Sequence, residues 1–244
     1  PHRAERPWRG QEENVQQEAL PPYDAQCYLC PGNERAGGAR NPEYASTFVF
    51  RNDFPALFPD SPPGEVNQSD LLVARSERGL CLVVCYSPRH DLTLAKMSGE
   101  QIAAVVEAWA EQYAELATSP FINYVQIFEN KGSVMGCSNP HPHGQIWATE
   151  HIPAESAKES ARQAAYLEGK ASCLLCDYLE AEVRSGERVV CSNSDFLVLV
   201  PFWACWPFET IVLPRRHVGT ITELSWQEKR SLADALLRLS VRYD

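Results

Sequence analysis

The sequence predicts an α+β fold that is built twice along the chain. Three observations carry that prediction. Short apolar stretches of strand character alternate with longer stretches of helical periodicity. Two helix starts carry one capping signature, Ser98-Gly-Glu-Gln101 and Ser225-Trp-Gln-Glu228. Landmarks of the first half recur in the second half in the same order. Cys27-x-x-Cys30 is echoed by Cys173-x-x-Cys176, and Asn52-Asp53-Phe54 by Ser194-Asp195-Phe196. A strand ending in Pro88-Arg89-His90 is echoed by one ending in Arg215-Arg216-His217, and each histidine lies eight residues before a capping serine. The echo divides the chain into a first repeat with an N-terminal arm, 1–152, and a linker helix with a second repeat, 153–244.

The elements follow in order. Residues 1–26 are polar and rich in Arg, Glu, Gln and Pro, which predicts an extended arm. Thr47 to Phe50 reads as a strand, Arg51-Asn52-Asp53 as a turn, and Ser61 to Asp70 as a loop. Leu80 to Tyr86 is a short buried strand. After the Ser98 cap, Ile102, Val105, Val106, Trp109, Tyr113 and Leu116 recur at helical steps and mark a buried face. Tyr124 to Glu129 alternates as a strand does, and Gly144 to Ala148 continues another. Residues 153–170, polar and Ala-rich, predict a surface helix. After Ser225 an amphipathic run carries Leu232, Leu236, Leu239 and Tyr243. The first helix leads to His141-Pro-His143, 43 residues beyond Ser98. The same distance from Ser225 falls past Asp244, so the second repeat is expected to be incomplete and the chain to be cut short.

Composition narrows the class. Apolar residues make up 44% and aromatics 10%, enough for a packed core and too many for disorder. A net charge of −10 argues against non-specific nucleic-acid binding and against adhesion to an anionic membrane. The longest uncharged apolar run, Phe196 to Phe208, is broken by two prolines and is too short to span a bilayer. No signal peptide is visible, although the chain opens on Pro1 rather than Met. Nine cysteines, an odd number in a chain this long, point to metal or redox chemistry in a reducing compartment, hence the cytoplasm. Cys81, Cys85, Cys191 and Cys205 lie in apolar runs and read as small core residues.

The chemistry concentrates in Asn130-Lys-Gly-Ser-Val-Met-Gly-Cys-Ser-Asn-Pro-His-Pro-His-Gly-Gln-Ile-Trp147. In an extended segment His141 and His143 point the same way, and Ser138, Asn139 and Gln145 add hydrogen-bonding groups. Gly136 and Gly144 let backbone approach a ligand closely. Imidazole serves as metal ligand, acid/base or nucleophile toward phosphorus, and the pair by itself leaves all three open. Cys27, Cys30, His90 and His141 form a second constellation, two thiols in a tight turn and two imidazoles, which would complete a tetrahedral zinc site. Buried thiols without metal are the alternative. Cys173, Cys176 and His217 supply three ligands of a comparable set, with a fourth expected past the chain end.

These motifs identify the sequence as similar to the galactose-1-phosphate uridylyltransferase family, a branch of the histidine-triad superfamily. The resemblance runs through His2-Arg-Ala-Glu-Arg-Pro-Trp8, Cys27-Tyr-Leu-Cys-Pro-Gly-Asn33, Asn52-Asp53-Phe54, Phe128-Glu-Asn-Lys-Gly132, the Gly136–Gln145 core, and Val200 to Thr210 with Leu213-Pro-Arg-Arg-His217. It implies a mostly antiparallel half-barrel sheet of duplicated histidine-triad-like repeats with packed helices. It implies ping-pong uridylyl transfer from UDP-glucose to galactose 1-phosphate, releasing glucose 1-phosphate and then UDP-galactose. By motif, His143 is the nucleophile, its other ring nitrogen held by a backbone carbonyl of the H-P-H turn, and Gln145 contacts phosphoryl oxygens. Asn130, Gly136, Cys137 and Ser138 match phosphate contacts, and Asn52 and Asp53 match uridine-side contacts. Arg3 and Arg6 match arginines supplied across a homodimer interface. Cys27, Cys30, His90 and His141 match zinc ligands, and Glu159 aligns with a carboxylate of a second site holding iron or zinc. Relative to the family, the opening strand and about the last quarter are lacking, so little turnover is expected of residues 1–244 alone. Two other readings stay open. One is a histidine-triad phosphorylase or hydrolase using orthophosphate or water as acceptor, and the other is a zinc-stabilised module without turnover.

Overall fold

The computed structural model describes residues 20–132, 135–137 and 139–244. The first half builds a four-stranded antiparallel sheet from β1 (Phe48–Arg51), β4 (Gly79–Cys85), β5 (Tyr124–Phe128) and β6 (His143–Thr149). Its order is β1-β4-β6-β5. β2 (Glu65–Gln68) and β3 (Leu72–Arg75) form a separate hairpin. The second half builds a three-stranded antiparallel sheet in chain order from β7 (Val189–Ser192), β8 (Phe196–Leu199) and β9 (Ile211–Pro214). The helices are α1 (Gly99–Ala117), α2 (Ala154–Lys170), α3 (Leu174–Ser185) and α4 (Trp226–Tyr243). The fold is therefore α+β, with antiparallel sheets and no closed barrel among the described residues.

Strand alternation decides which face does what. Along β4, Leu82 and Val84, with Tyr86 after it, face α1 and join Ile102, Val105, Ile146 and Ala148 in one core. Val83 and Cys85 face the other way and pack with Cys27, Leu29 and Cys30. In β6, Gly144, Ile146 and Ala148 are buried, while His143, Gln145 and Trp147 between them are half-buried. The register pairs Cys85 with His143 and Val83 with Gln145, which places both histidine-motif side chains on the cysteine side of the sheet. Gly144 is required by close approach: a Cβ there would lie 2.1 Å from Tyr86 Oη and 2.9 Å from the Phe128 carbonyl oxygen.

Both capping boxes form: Ser98 with Gln101, and Ser225 with Glu228. A single 3₁₀ turn precedes each helix, Leu94–Lys96 and Ile221–Glu223. α4 packs on α1, and its buried Ala233 joins the first-half core. Lys229 reaches Glu107 at 2.8 Å across that contact. The predicted helical face of α1 is buried at Ile102, Val105, Val106 and Leu116 and half-buried at Trp109 and Tyr113. β1 precedes Asn52-Asp53-Phe54 as β7 precedes Ser194-Asp195-Phe196, but a strand, β8, begins at Phe196 and none begins at Phe54.

The structure corrects several expectations. Ser61 to Asp70 is not wholly loop, because β2 occupies Glu65–Gln68, exposed on both faces and lacking the alternation that marks a half-buried strand. Cys205 is exposed, because the chain after Pro201 leaves the sheet in turns, while Cys81, Cys85 and Cys191 are buried as expected. α3 had no sequence signal, since its N-cap is Cys173, whose side chain makes no cap hydrogen bond. Cys173-x-x-Cys176 opens a helix, but it follows α2 across Ala171 (φ 54°) and not a strand. Most of the predicted arm, 1–19, lies outside the described residues. No helix among the described residues is long and apolar enough to cross a membrane.

Candidate active site and metal centre

His143 opens β6, and the preceding Pro142 brings the His141 carbonyl back toward its ring. His143 Nδ1 lies 2.7 Å from that carbonyl oxygen. A carbonyl can only accept, so Nδ1 carries the proton and Nε2 keeps its lone pair. Two residues along the same face, Gln145 is oriented just as firmly. Its Oε1 accepts from Trp147 Nε1 at 3.2 Å and from Asn52 Nδ2 at 3.4 Å. Indole nitrogen only donates, so the amide oxygen must face Trp147 and the NH2 group points elsewhere as a donor. Asn52 is itself held, since its Oδ1 accepts from the Phe54 backbone N–H at 2.9 Å. Asp53 is paired with Arg35 at 3.1 Å, and the Arg35 guanidinium lies 4.0 Å from the centre of the Phe50 ring. The β5–β6 loop presents Asn130 and Gly136 at the surface and Cys137 half-buried, its thiol donating to the Asn139 carbonyl at 3.1 Å.

Cys27, Cys30, His90 and His141 are all buried, and their ligand atoms lie within 4.8 Å of one another. Cys30 Sγ is 3.6 Å from His141 Nδ1 and 3.7 Å from His90 Nδ1. A tetrahedral ion bound at about 2.3 Å to sulfur and about 2.05 Å to nitrogen sets that edge at about 3.6 Å, so the donors fit one ion of zinc's size. His141 Nε2 donates to the Ser87 carbonyl at 2.9 Å, with Tyr44 Oη at 3.0 Å, which leaves Nδ1 unprotonated toward the cluster. Burial, with His90 alongside, lowers the His141 pKa to about 4, so its imidazole is neutral, the form a metal takes. Burial also pushes the Cys30 thiol up to about 11. A cation bound by the two thiols would offset that penalty on the thiolate. Asn139 ties the histidine motif to the Cys27–Cys30 turn. Its Oδ1 accepts from the His141 backbone N–H at 2.9 Å and its amide lies 3.4 Å from Cys27 Sγ.

The structure therefore brings together His143, Gln145 and Asn52 in one group and the four Cys/His residues in another. Asp53 sits at the edge of the first. Glu159 stands exposed on α2 and joins neither metal-competent group among the described residues. Arg3, Arg6 and Ser138 lie outside the described residues. A third group, Cys173, Cys176 and His217, is half-exposed. Sequence reasoning missed Trp147, Tyr44 and Arg35. The alternation of Gln145 with Trp147 on one strand face was a usable signal for the first; the others come from distant loops.

Known proteins match this chain throughout. Residues 1–153 match the family model described as the galactose-1-phosphate uridyl transferase N-terminal domain, and residues 159–244 match that of its C-terminal domain. A galactose-1-phosphate uridylyltransferase from Haemophilus influenzae is 47% identical over 244 residues, taking in all of this chain and 69% of the relative. The enzyme of the same name from Schizosaccharomyces pombe is 44% identical, with all of this chain and 70% of the relative covered. A solved structure described as that of a uridylyltransferase superposes with a TM-score of 0.78 at 28% identity, over 90% of this chain and 69% of that one.

Proposed function

Because the chain belongs to the galactose-1-phosphate uridyl transferase family, we propose that it transfers a uridylyl group between UDP-glucose and galactose 1-phosphate, with His143 as the covalent carrier. One observation carries the assignment of His143. Its Nδ1–H is committed to the His141 carbonyl at 2.7 Å, which leaves Nε2 as the free nucleophile. In the first half-reaction Nε2 forms a bond to the α-phosphorus of UDP-glucose, and the phosphorus–oxygen bond to glucose 1-phosphate breaks. In the second, a phosphate oxygen of galactose 1-phosphate attacks the same phosphorus, the phosphorus–nitrogen bond breaks, and UDP-galactose leaves. Positive charge that develops on the ring is met by the carbonyl at Nδ1. The Gln145 NH2 group donates to phosphoryl oxygens as their charge grows in the transition state. Asn130, Gly136, Cys137 and Ser138 line the phosphates, Asn52 and Asp53 the uridine side, and Arg3 and Arg6 act from the partner of a homodimer.

Cys27, Cys30, His90 and His141 hold zinc in this reading. The ion fixes the Cys27–Cys30 turn against the H-P-H segment and takes no part in the bond changes. The site works in the cytoplasm on soluble sugar phosphates. The test is an acceptor comparison. After exposure to UDP-glucose, the full-length protein should yield UDP-galactose with galactose 1-phosphate and should not turn over appreciably with orthophosphate or water. Preference for orthophosphate would convert the reading to a phosphorylase, and preference for water to a hydrolase.

A further inference from the structure

We propose that Cys173, Cys176 and His217 form a second metal site, taking one divalent cation of zinc's borderline-soft class. The proposal rests on local geometry and is independent of the uridylyl-transfer reading. The three ligand atoms lie within 4.8 Å of one another although His217 is 41 residues from Cys176 in sequence. Cys176 Sγ is 3.3 Å from His217 Nδ1, close to the sulfur–nitrogen edge of about 3.6 Å that a tetrahedral zinc sets. The two sulfurs are one helical turn apart at the start of α3, Cys173 as N-cap and Cys176 within the first turn. Two thiols and an imidazole are a donor set that favours zinc over calcium or magnesium.

The way His217 is delivered is the second argument. In each half an Arg-His pair follows a strand (Arg89-His90 after β4, Arg216-His217 after β9), a 3₁₀ turn comes next, and a capping serine starts the long helix. That unit carries His90 to Cys27-x-x-Cys30 and His217 to Cys173-x-x-Cys176, so the same local plan builds both groups. The groups differ in access. The four residues of the first are buried, whereas Cys173 and Cys176 are half-buried and His217 is exposed. The described residues supply three ligands, at a place open to solvent. The second ion should therefore exchange faster and yield first to a chelator. Its structural effect is to clasp the start of α3 to the segment after β9.

The experiment is metal analysis of the purified protein with three variants. Wild type should carry about two zinc ions per chain and lose one of them rapidly to a chelator. Cys176→Ser and His217→Ala, both outside the buried core, should carry about one. Alkylation provides a readout that needs no variant. Cys173 and Cys176 should be protected as isolated and become reactive once the rapidly lost ion is removed, while Cys30 stays protected. Cys30→Ser should remove the slowly lost ion and leave the fast one. A wild-type content of one with no change in Cys176→Ser, two ions retained in both variants, or a Cys173–Cys176 disulfide in metal-free, freshly isolated protein would each overturn the proposal.

Discussion

Trp147 is the residue whose contribution can be isolated most cleanly. Its indole N–H fixes the Gln145 amide, and its ring also meets Phe128 edge-on at 5.7 Å. Trp147→Phe keeps an aromatic ring, smaller than indole, and removes the donor. A hydrogen bond of that kind contributes about 1 kcal/mol, so kcat should fall about threefold to tenfold with KM for UDP-glucose little changed. A rise in KM at constant kcat would show that Trp147 shapes ground-state binding instead. Glu129, next to the phosphate loop, predicts a pH effect on stability. Burial raises its pKa from 4.5 to about 7, only partly opposed by Lys131. The folded state therefore holds the proton more tightly than the unfolded chain. Stability is full below about pH 4.5 and is lost as pH rises through about 7, by about 2–3 kcal/mol. Denaturant melts of Glu129→Gln should be flat over that window where wild type declines, and parallel curves would refute the assignment.

At the scale of elements, the sheet is fitted to its helix by one missing side chain. Gly144→Ala puts a methyl group against Tyr86 and should cost about 1–3 kcal/mol. Tyr86 Oη has no hydrogen-bond partner among the described residues, so Tyr86→Phe removes the closest clash with little loss elsewhere and should restore part of the stability of Gly144→Ala. Additive costs in that double-mutant cycle would place the strain elsewhere. The elements that were legible in the sequence share a physical property, namely that their signal is local. The capping boxes of α1 and α4 need four residues each, and the apolar runs of β4 and β5 need fewer than eight. The β2–β3 hairpin was illegible because every residue of both strands is exposed, so no alternation was imposed on it. α3 was illegible because a cysteine occupies its cap. In the site, the H-P-H motif was legible as chemistry, and its tautomer was not. The proton on His143 Nδ1 is fixed by where the His141 carbonyl falls once Pro142 has turned the chain.

At the scale of the whole molecule, the two halves are joined by α1 and α4 and by a core to which both contribute. Ala233 is fully buried in the first-half core, and Lys229 and Glu107 pair beside it. The halves should therefore unfold in one transition, and Ala233→Asp, which buries an unpaired carboxylate, should cost about 3 kcal/mol or more. Two resolved transitions in wild type would show that the shared core is energetically minor. The proposed chemistry turns on the imidazole at the head of β6. The most direct measurement is to incubate the full-length protein with UDP-glucose without acceptor, digest it, and locate the added mass by fragmentation of the peptide that contains His141 to Gln145. The account predicts one UMP on His143, absent in His143→Asn and discharged by galactose 1-phosphate. UMP on His141, or no covalent nucleotide under conditions where glucose 1-phosphate is released, would contradict it.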